Sequence, residues 1–195
     1  TLVGNPNFSG ATGQVLTFLN PVTDAFEGQY YRTGSGGNSR SIFINTPANP
    51  ARSVTMNFLL EGLYLSGGTM SASLDGNANP VFGSGIADQV TVELHDNSNY
   101  SNVLFTREGA LLGTDGTVSF IVPCNFSGSY YLAIRHRSGI VTVSANPVSF
   151  NTPDINYSFD QPNKAYGNNL VQTIDGYYAL YSGDVNQDGV VDVSD

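Results

Sequence analysis

The sequence predicts an all-β protein, and three observations carry that prediction. Apolar and polar residues alternate over short stretches, which is the pattern of strands with one buried face. Turn-forming residues are abundant, with 22 glycines and 9 prolines in 195 residues. Helix-forming residues gather nowhere into a long amphipathic stretch, and Lys164 is the single lysine. Half-buried alternation of this kind favours antiparallel sheets.

The alternation marks the individual strands. It is clearest in four segments: Val54–Tyr64, Gln89–His95, Thr117–Val122 and Tyr130–Arg137. Shorter strands are expected at Met70–Leu74, Val103–Thr106, Ile140–Ser144, Ile155–Phe159 and Gly176–Tyr181. Clusters of Gly, Asn, Asp and Ser separate them. Short strands with turn signals between them predict an antiparallel β-sandwich of immunoglobulin-like type.

Three regions are expected along the chain. Residues 1–50 are less regular, with the apolar pieces Gln14–Leu19 and Ser41–Ile44 on either side of a Gly/Ser-rich stretch. We expect this region to be an extra hairpin on the sandwich, with the tail of a preceding module as the alternative. Residues 51–182 form the sandwich, and residues 183–195 form a C-terminal loop.

The net charge and the cysteine content argue against several classes of function. Seven Lys and Arg residues against 16 Asp and Glu residues give a net charge of −9. An acidic chain without a basic cluster repels phosphate, which argues against nucleic acid and anionic membranes as partners. No apolar run reaches the roughly 20 residues of a membrane span. Cys124 is the single cysteine, so no intrachain disulfide forms, but secretion is still allowed. Thr1 is expected to be a mature or fragment start.

The C-terminal end carries the motif with a defined chemistry. It reads Gly183-Asp184-Val185-Asn186-Gln187-Asp188-Gly189-Val190-Val191-Asp192-Val193-Ser194-Asp195. With Asp184 as position 1 of a twelve-residue calcium loop, oxygen-bearing side chains stand at positions 1, 3, 5, 9 and 12. Glycine stands at position 6, where the loop turns sharply with positive φ.

This spacing suits calcium because the ion takes about seven hard oxygen ligands from alternate residues of a tight loop. The expected ligands are Asp184, Asn186, Asp188, the backbone carbonyl of Val190, Asp192 and Asp195. One alternative is an Asp-rich tail that binds no metal and only keeps the end of the chain solvated. A second is a true loop that binds calcium weakly by itself, because position 12 is Asp195 rather than the bidentate Glu of sensor loops.

The phrase Gly-Asp-Val-Asn-Gln-Asp-Gly, with Asp at position 12, resembles the first calcium repeat of a dockerin-type module. In that family two such loop–helix repeats form a small calcium-dependent docking domain. Only the first loop lies in this chain. The resemblance therefore implies a module that continues beyond the chain or has been cut away.

The region from Val54 to Asp195 resembles the C-terminal β-sandwich region of multimodular secreted or surface proteins of Bacteroidetes-type bacteria. Five segments carry the resemblance: Leu59–Tyr64, Val90–His95, Gly128–Arg137, Lys164–Asn169 and Tyr178–Asp184. The family typically sits near the end of its polypeptide as a non-catalytic sandwich followed by dockerin-like repeats. The resemblance implies a secreted, extracellular or cell-surface location in a bacterium.

Three other candidate sites have simpler structural interpretations. Arg135-His136-Arg137 is the only local concentration of positive charge, and it could grip a carboxylate or an acidic sugar. We expect instead a surface strand end, with the arginines paired to acids and His136 bonded to a turn. His95 with Asp96 could suggest a metal or base–acid pair, but a lone strand-end histidine favours a structural role. Cys124 is expected to fill the core.

Aromatic side chains keep sugar binding open as an alternative. Tyr64 and the pairs Tyr30-Tyr31, Tyr130-Tyr131 and Tyr177-Tyr178 could stack on pyranose rings. Adjacent residues of a strand face opposite sides, so core packing is expected for one tyrosine of each pair.

Taken together, these features predict a non-enzymatic accessory module of an exported bacterial protein. No nucleophile motif is present. We expect the module to bind Ca²⁺ at its C-terminal loop and to act in presentation or protein–protein assembly. Its partner would be another protein or a second copy of itself, reached through the calcium module or an edge strand. The alternative is a carbohydrate-binding or adhesive module that uses exposed tyrosines.

Overall fold

The computed structural model describes residues 51–195 in full. From the first fifty residues it describes the backbone of four short strands, β1 (Phe8–Ser9), β2 (Thr17–Phe18), β3 (Gly28–Tyr31) and β4 (Ser41–Ile44). Strands β1 and β2 pair antiparallel, and so do β3 and β4. The side chains of Tyr30 and Tyr31, and the predicted role of residues 1–50, lie outside the described part.

The chain forms two compact units. One comprises Thr1–Ala51 with Pro123–Phe126, and the other comprises Arg52–Val122 with Ser127–Asp195. The larger unit contains the strands β5 (Arg52–Asn57), β6 (Tyr64–Ser66), β7 (Thr69–Met70), β8 (Ile86–Asp96), β9 (Val103–Gly113), β10 (Thr117–Val122), β11 (Ser129–His136), β12 (Gly139–Val143), β13 (Val148–Ser149), β14 (Asp154–Ser158), β15 (Val171–Gln172) and β16 (Tyr178–Ala179). Its helical elements are short 3-10 turns at Glu61–Leu63, Pro162–Lys164 and Tyr166–Asn168. The prediction of an all-β protein is confirmed.

One curled sheet organises this unit. Its strands lie in the order β12-β11-β8-β9-β10-β5-β14, and β13 pairs with the first two residues of β11. All of these pairs are antiparallel except that of β14 with β5. The parallel pair joins strands that are far apart in sequence, since Ile155 lies opposite Val54.

The predicted alternation builds the buried face of the sheet. In β5, Val54 and Met56 are fully buried, and their neighbours on β10 are Phe120 and Val118, which are also buried. The register therefore places the apolar residues of both strands on one face, as period-two patterning requires. Cys124 is buried too, in agreement with its expected place in a core.

Several predicted strands differ in extent from the structure. The strand predicted at Met70–Leu74 spans only Thr69–Met70, and that predicted at Gly176–Tyr181 spans only Tyr178–Ala179. In the segment predicted at Val54–Tyr64, strand β5 ends at Asn57. Phe58, Leu59 and Leu60 are all buried, so the alternation is lost, and Leu60 forms an isolated bridge with Leu180 before the 3-10 turn Glu61–Leu63. The strand predicted at Val103–Thr106 extends to Gly113. Gly109, with φ of 62°, sits where the β8–β9 register shifts and lets the strand continue.

Two polar residues of β8 are buried beside irregular points in its register. The register against β9 shifts between Ile86 and Asp88 and again between Leu94 and His95. The first shift places an extra residue, Ala87, in β8, and both Ala87 and Asp88 are buried. At the second shift the extra residue lies in β9, and His95 stays on the strand face of Glu93, where the ring of Tyr100 stacks on it.

Candidate metal centre

The strand segment that leads into the C-terminal loop is part of the buried structure. Leu180 is 2 % exposed, and its N–H donates to the carbonyl of Leu59 at 2.8 Å. Its own carbonyl accepts the N–H of Glu61 at 3.0 Å. Two residues on, the Ser182 hydroxyl accepts the N–H of Gly62 at 2.5 Å. The loop therefore starts from a firmly held segment of backbone.

The loop itself is fastened to the turn between β11 and β12. The N–H of Gly183 donates to the carbonyl of Ser138 at 2.8 Å. The side-chain amide of Gln187 donates to the carbonyl of His136 at 3.0 Å and to that of Asp184 at 2.8 Å. Gln187 thus ties the loop both to the sheet and to itself.

Asp184 lies at the centre of the loop. It is 2 % exposed, and its two carboxylate oxygens accept the backbone N–H groups of Asp188 and Gly189, each at 3.1 Å. Gly189 has φ of 88°, as predicted for position 6, and Gln187 has φ of 65°. A buried carboxylate needs such donors, because an unpaired charge away from water is costly.

The other oxygen-bearing side chains repeat one local pattern. The amide oxygen of Asn186 accepts the N–H of Asp188 at 2.9 Å, and the carboxylate of Asp188 accepts the N–H of Val190 at 2.9 Å. Asp192 accepts the N–H of Ser194 at 2.7 Å. Each of these side chains therefore accepts the N–H of the residue two positions later. This repeated contact curves the backbone into a compact loop.

Asp195 closes the loop by reaching back to its start. One carboxylate oxygen accepts the N–H groups of Val185 at 2.8 Å and Asn186 at 3.2 Å, and the other accepts that of Asp192 at 2.9 Å. These hydrogen bonds, that of Asp192 first among them, hold the pKa of Asp195 below its usual range. The carboxylate of Asp195 therefore lies against the backbone of loop positions 2, 3 and 9.

The donor set fits a hard cation. Carboxylates, an amide oxygen and backbone carbonyls are the ligands of calcium in proteins, and a carboxylate oxygen that accepts an N–H keeps a further lone pair. Among residues 51–195, however, no three His, Cys, Asp or Glu side chains converge closely enough to hold a metal ion. The ligand set of Asp184, Asn186, Asp188, Val190, Asp192 and Asp195 stays a prediction.

Two features of the loop were not predicted from its residues. The burial of Asp184 depends on the β11–β12 turn, which lies about fifty residues earlier in the chain. The clamp made by Gln187 has no sequence signal, because glutamine is not a residue that prefers positive φ. Both features depend on the position of the C-terminal segment next to the β11–β12 turn.

The Arg135-His136-Arg137 segment is arranged as expected for a strand end. The guanidinium of Arg135 donates to Glu93 at 2.9 Å, and that of Arg137 donates to the buried carboxylate of Asp88. Nδ1 of His136 lies 3.2 Å from the hydroxyl of Ser138, and its Nε2 lies 3.3 Å from Asp88. Burial lowers the pKa of His136, and the nearby Asp88 opposes this shift.

His95 pairs with Glu93 rather than with Asp96, its neighbour in the sequence. Its Nε2 lies 3.0 Å from Glu93, while Asp96 instead accepts the N–H of Ser98 at 2.8 Å. Nδ1 of His95 lies 2.6 Å from the carbonyl of Tyr100, and a carbonyl can only accept, so Nδ1 donates. His95 therefore links two parts of the structure.

The predicted tyrosine pairs do not separate into core and surface. Tyr130 and Tyr131 are both half-buried, and Tyr130 packs edge-on against Phe150 with ring centroids 5.4 Å apart. Tyr177 is exposed, and its ring lies 6.3 Å from that of Tyr64. Neither pair forms a flat exposed platform.

Comparison of the chain with family models, with curated proteins and with solved structures found no match. Within the described residues, no helix has the length and apolar character needed to cross a bilayer. The functional argument therefore depends on the geometry of this chain.

Proposed function

We propose that this chain is a calcium-binding, non-enzymatic structural module of an exported bacterial surface or extracellular protein. Its larger unit is an immunoglobulin-like β-sandwich with a dockerin-like, EF-hand-type calcium loop at its end. Calcium orders the loop Asp184–Asp195, and the ordered loop presents a rigid surface for assembly with a protein partner or a second copy.

One observation carries the proposal: the predicted ligands are wound into one hydrogen-bonded loop that is fixed to the sheet. Asp184 is buried beside the β11–β12 turn, and Asp195 returns to the N–H groups of Val185 and Asn186. Four aspartates in twelve residues repel one another, and a divalent cation relieves that repulsion. A loop already held in this shape loses less entropy when it binds an ion.

The assembly part is supported by exposed apolar side chains on the same loop. Val185 is 58 % exposed, Val190 is 55 % exposed, and Val193 is 104 % exposed. Apolar groups grouped on an exposed segment favour contact with a partner. The outer strand β14 leaves a sheet edge, which is a second route to pairing with another chain.

Calorimetric titration with CaCl₂ tests the metal site. The wild type should bind one ion, and the doubly substituted D184N/D188N chain should not bind. Asparagine keeps the shape of aspartate, but it accepts through one oxygen only, so the variant removes the charge together with one of the two N–H contacts of Asp184. The matched control is Asp96→Asn, because Asp96 also accepts backbone N–H groups in a tight turn but lies outside the loop.

Hydrogen exchange of residues 178–195 gives the structural readout. Calcium should slow exchange in the wild type and in the Asp96→Asn chain, and it should not change the D184N/D188N chain. Unchanged exchange and no heat of binding in the wild type would refute the calcium site. Sedimentation velocity with and without calcium then tests assembly, and a concentration-independent monomer in both conditions would count against self-association.

A further inference from the structure

A separate pocket lies beside β11. Its walls come from the turn after β8, from the β11–β12 pair and from the 3-10 turn Tyr166–Asn168. It has a volume of about 440 Å³, which lies within the range of roughly 300–1,000 Å³ typical of ligand sites. Its lining residues are Asn97, Ser98, Tyr100, Tyr131, Val143 and Tyr166.

The ring of Tyr100 is held in place before any ligand arrives. It stacks on the imidazole of His95, with centroids 4.2 Å apart and planes 9° apart. The ring of Tyr131 meets it edge-on at 6.1 Å and 77°. The hydrogen bond from His95 to the carbonyl of Tyr100 fixes the backbone as well. A side chain positioned in this way costs little entropy when it binds a ligand.

Two charged side chains, Glu93 and Arg135, hold His95 in position. Glu93 is the shared partner, with one oxygen 3.0 Å from Nε2 of His95 and 2.9 Å from Nε of Arg135. His95 is 3 % exposed, because it lies on the strand face of Glu93 and the ring of Tyr100 stacks on it. The buried polar residue thereby has a role: it joins a pair of charged side chains to the aromatic wall of the pocket.

The chemistry of the lining selects an uncharged ligand. Within the described residues the wall has no charged side chain, and the hydroxyls of Tyr100, Tyr131 and Tyr166 make no hydrogen bond to the protein. Burial raises the pKa of Tyr100, so its hydroxyl stays protonated and can donate. Asn97 and Ser98 add further polar groups at the wall.

We infer that this pocket binds a neutral saccharide. Aromatic faces pack against the C–H surface of a sugar ring, while hydroxyl and amide groups pair with its rim. A purely apolar ligand would bury the tyrosine hydroxyls without partners, and that costs free energy. A quaternary ammonium ion would also pack against the aromatic faces, but it would make no use of the hydroxyl and amide groups of the wall. The site lies apart from the calcium loop and does not depend on it.

The test is an NMR titration of the full chain with cellohexaose, xylohexaose, maltohexaose and mannohexaose. Amide shifts should be confined to residues 97–100, 131, 143 and 166. Tyr166→Ala should weaken binding by about fivefold or more, because it removes one aromatic wall. Tyr166 is 69 % exposed, so this variant should still fold. Tyr166→Phe should bind with intermediate affinity, because it keeps the ring and loses the hydroxyl.

Tyr177→Ala is the matched control, because Tyr177 is an exposed tyrosine outside the pocket. It should bind as the wild type does. A mannose-rich glycan released from a glycoprotein is titrated in parallel, since it offers the same neutral pyranose chemistry from another source. Three results would overturn the inference: no shift with any saccharide at millimolar concentration, equal loss in Tyr177→Ala and Tyr166→Ala, or shifts with tetramethylammonium or a proline-rich peptide alone.

Discussion

Shortening Leu180 to alanine should destabilise the larger unit by about 2–5 kcal/mol. The side chain is 2 % exposed, so its removal takes three carbon atoms out of a packed interior. Loss of about 0.8 kcal/mol for each buried carbon gives roughly 2.4 kcal/mol, and an unfilled cavity adds to this. The hydrogen bonds of Leu180 with Leu59 and Glu61 use only backbone atoms and remain. The expected loss is a large part of a typical domain stability of about 5–15 kcal/mol.

Urea unfolding followed by tyrosine fluorescence measures this loss, because the chain has 11 tyrosines and no tryptophan. The control is Leu65→Ala, since Leu65 is 63 % exposed and its loss should change the free energy of unfolding by less than about 0.5 kcal/mol. If Leu180→Ala behaves like Leu65→Ala, the segment before the C-terminal loop does not belong to the core, and the anchoring argument for the loop fails.

Two further substitutions test local features of the larger unit. The hydroxyl of Thr173 and other donors hold the pKa of Asp175 at about 2, below its ordinary value of 3.8, so its contribution to stability is present above pH 3.8 and is lost as the pH falls towards 2. Asp175→Asn should therefore make the acid loss of stability shallower in that window, as measured by circular dichroism. Gly116→Ala should cost more than about 1 kcal/mol in urea unfolding, because Gly116 has φ of 82° and a Cβ there would lie 2.8 Å from the carbonyl of Phe58. Gly76→Ala, which meets open space, should be neutral or slightly stabilising; equal losses in the two variants would contradict the steric argument.

The two proposed sites should respond independently to substitution. Calcium binding should fail in the D184N/D188N chain and leave the saccharide titration unchanged. Tyr166→Ala should weaken saccharide binding and leave the heat of calcium binding unchanged. A chain in which either substitution abolishes both would be misfolded, and its unfolding curve would reveal that directly.

Local sequence patterns were sufficient to predict the all-β class, while the calcium loop stays a prediction. Val54 and Met56 alternate with polar neighbours, and strand burial follows that alternation directly because successive side chains point to opposite faces. The spacing of Asp184, Asn186 and Asp188 produces local hydrogen bonds two to four residues long, which the sequence alone can encode. Gly189 adopts the positive φ that its place in the motif predicts.

Only the tertiary structure decided which polar residues are buried and which aromatic residues meet. Asp88 is buried next to Ala87 at a point where the register of β8 against β9 shifts, and His95 is buried because the ring of Tyr100 stacks on it. Tyr100, Tyr131 and Tyr166 come from three distant segments, so no spacing in the sequence predicts their common pocket. The burial of Asp184 likewise depends on a turn near Ser138. Alternation and turn chemistry act over a few residues, whereas register and packing are set by contacts between segments far apart in the chain.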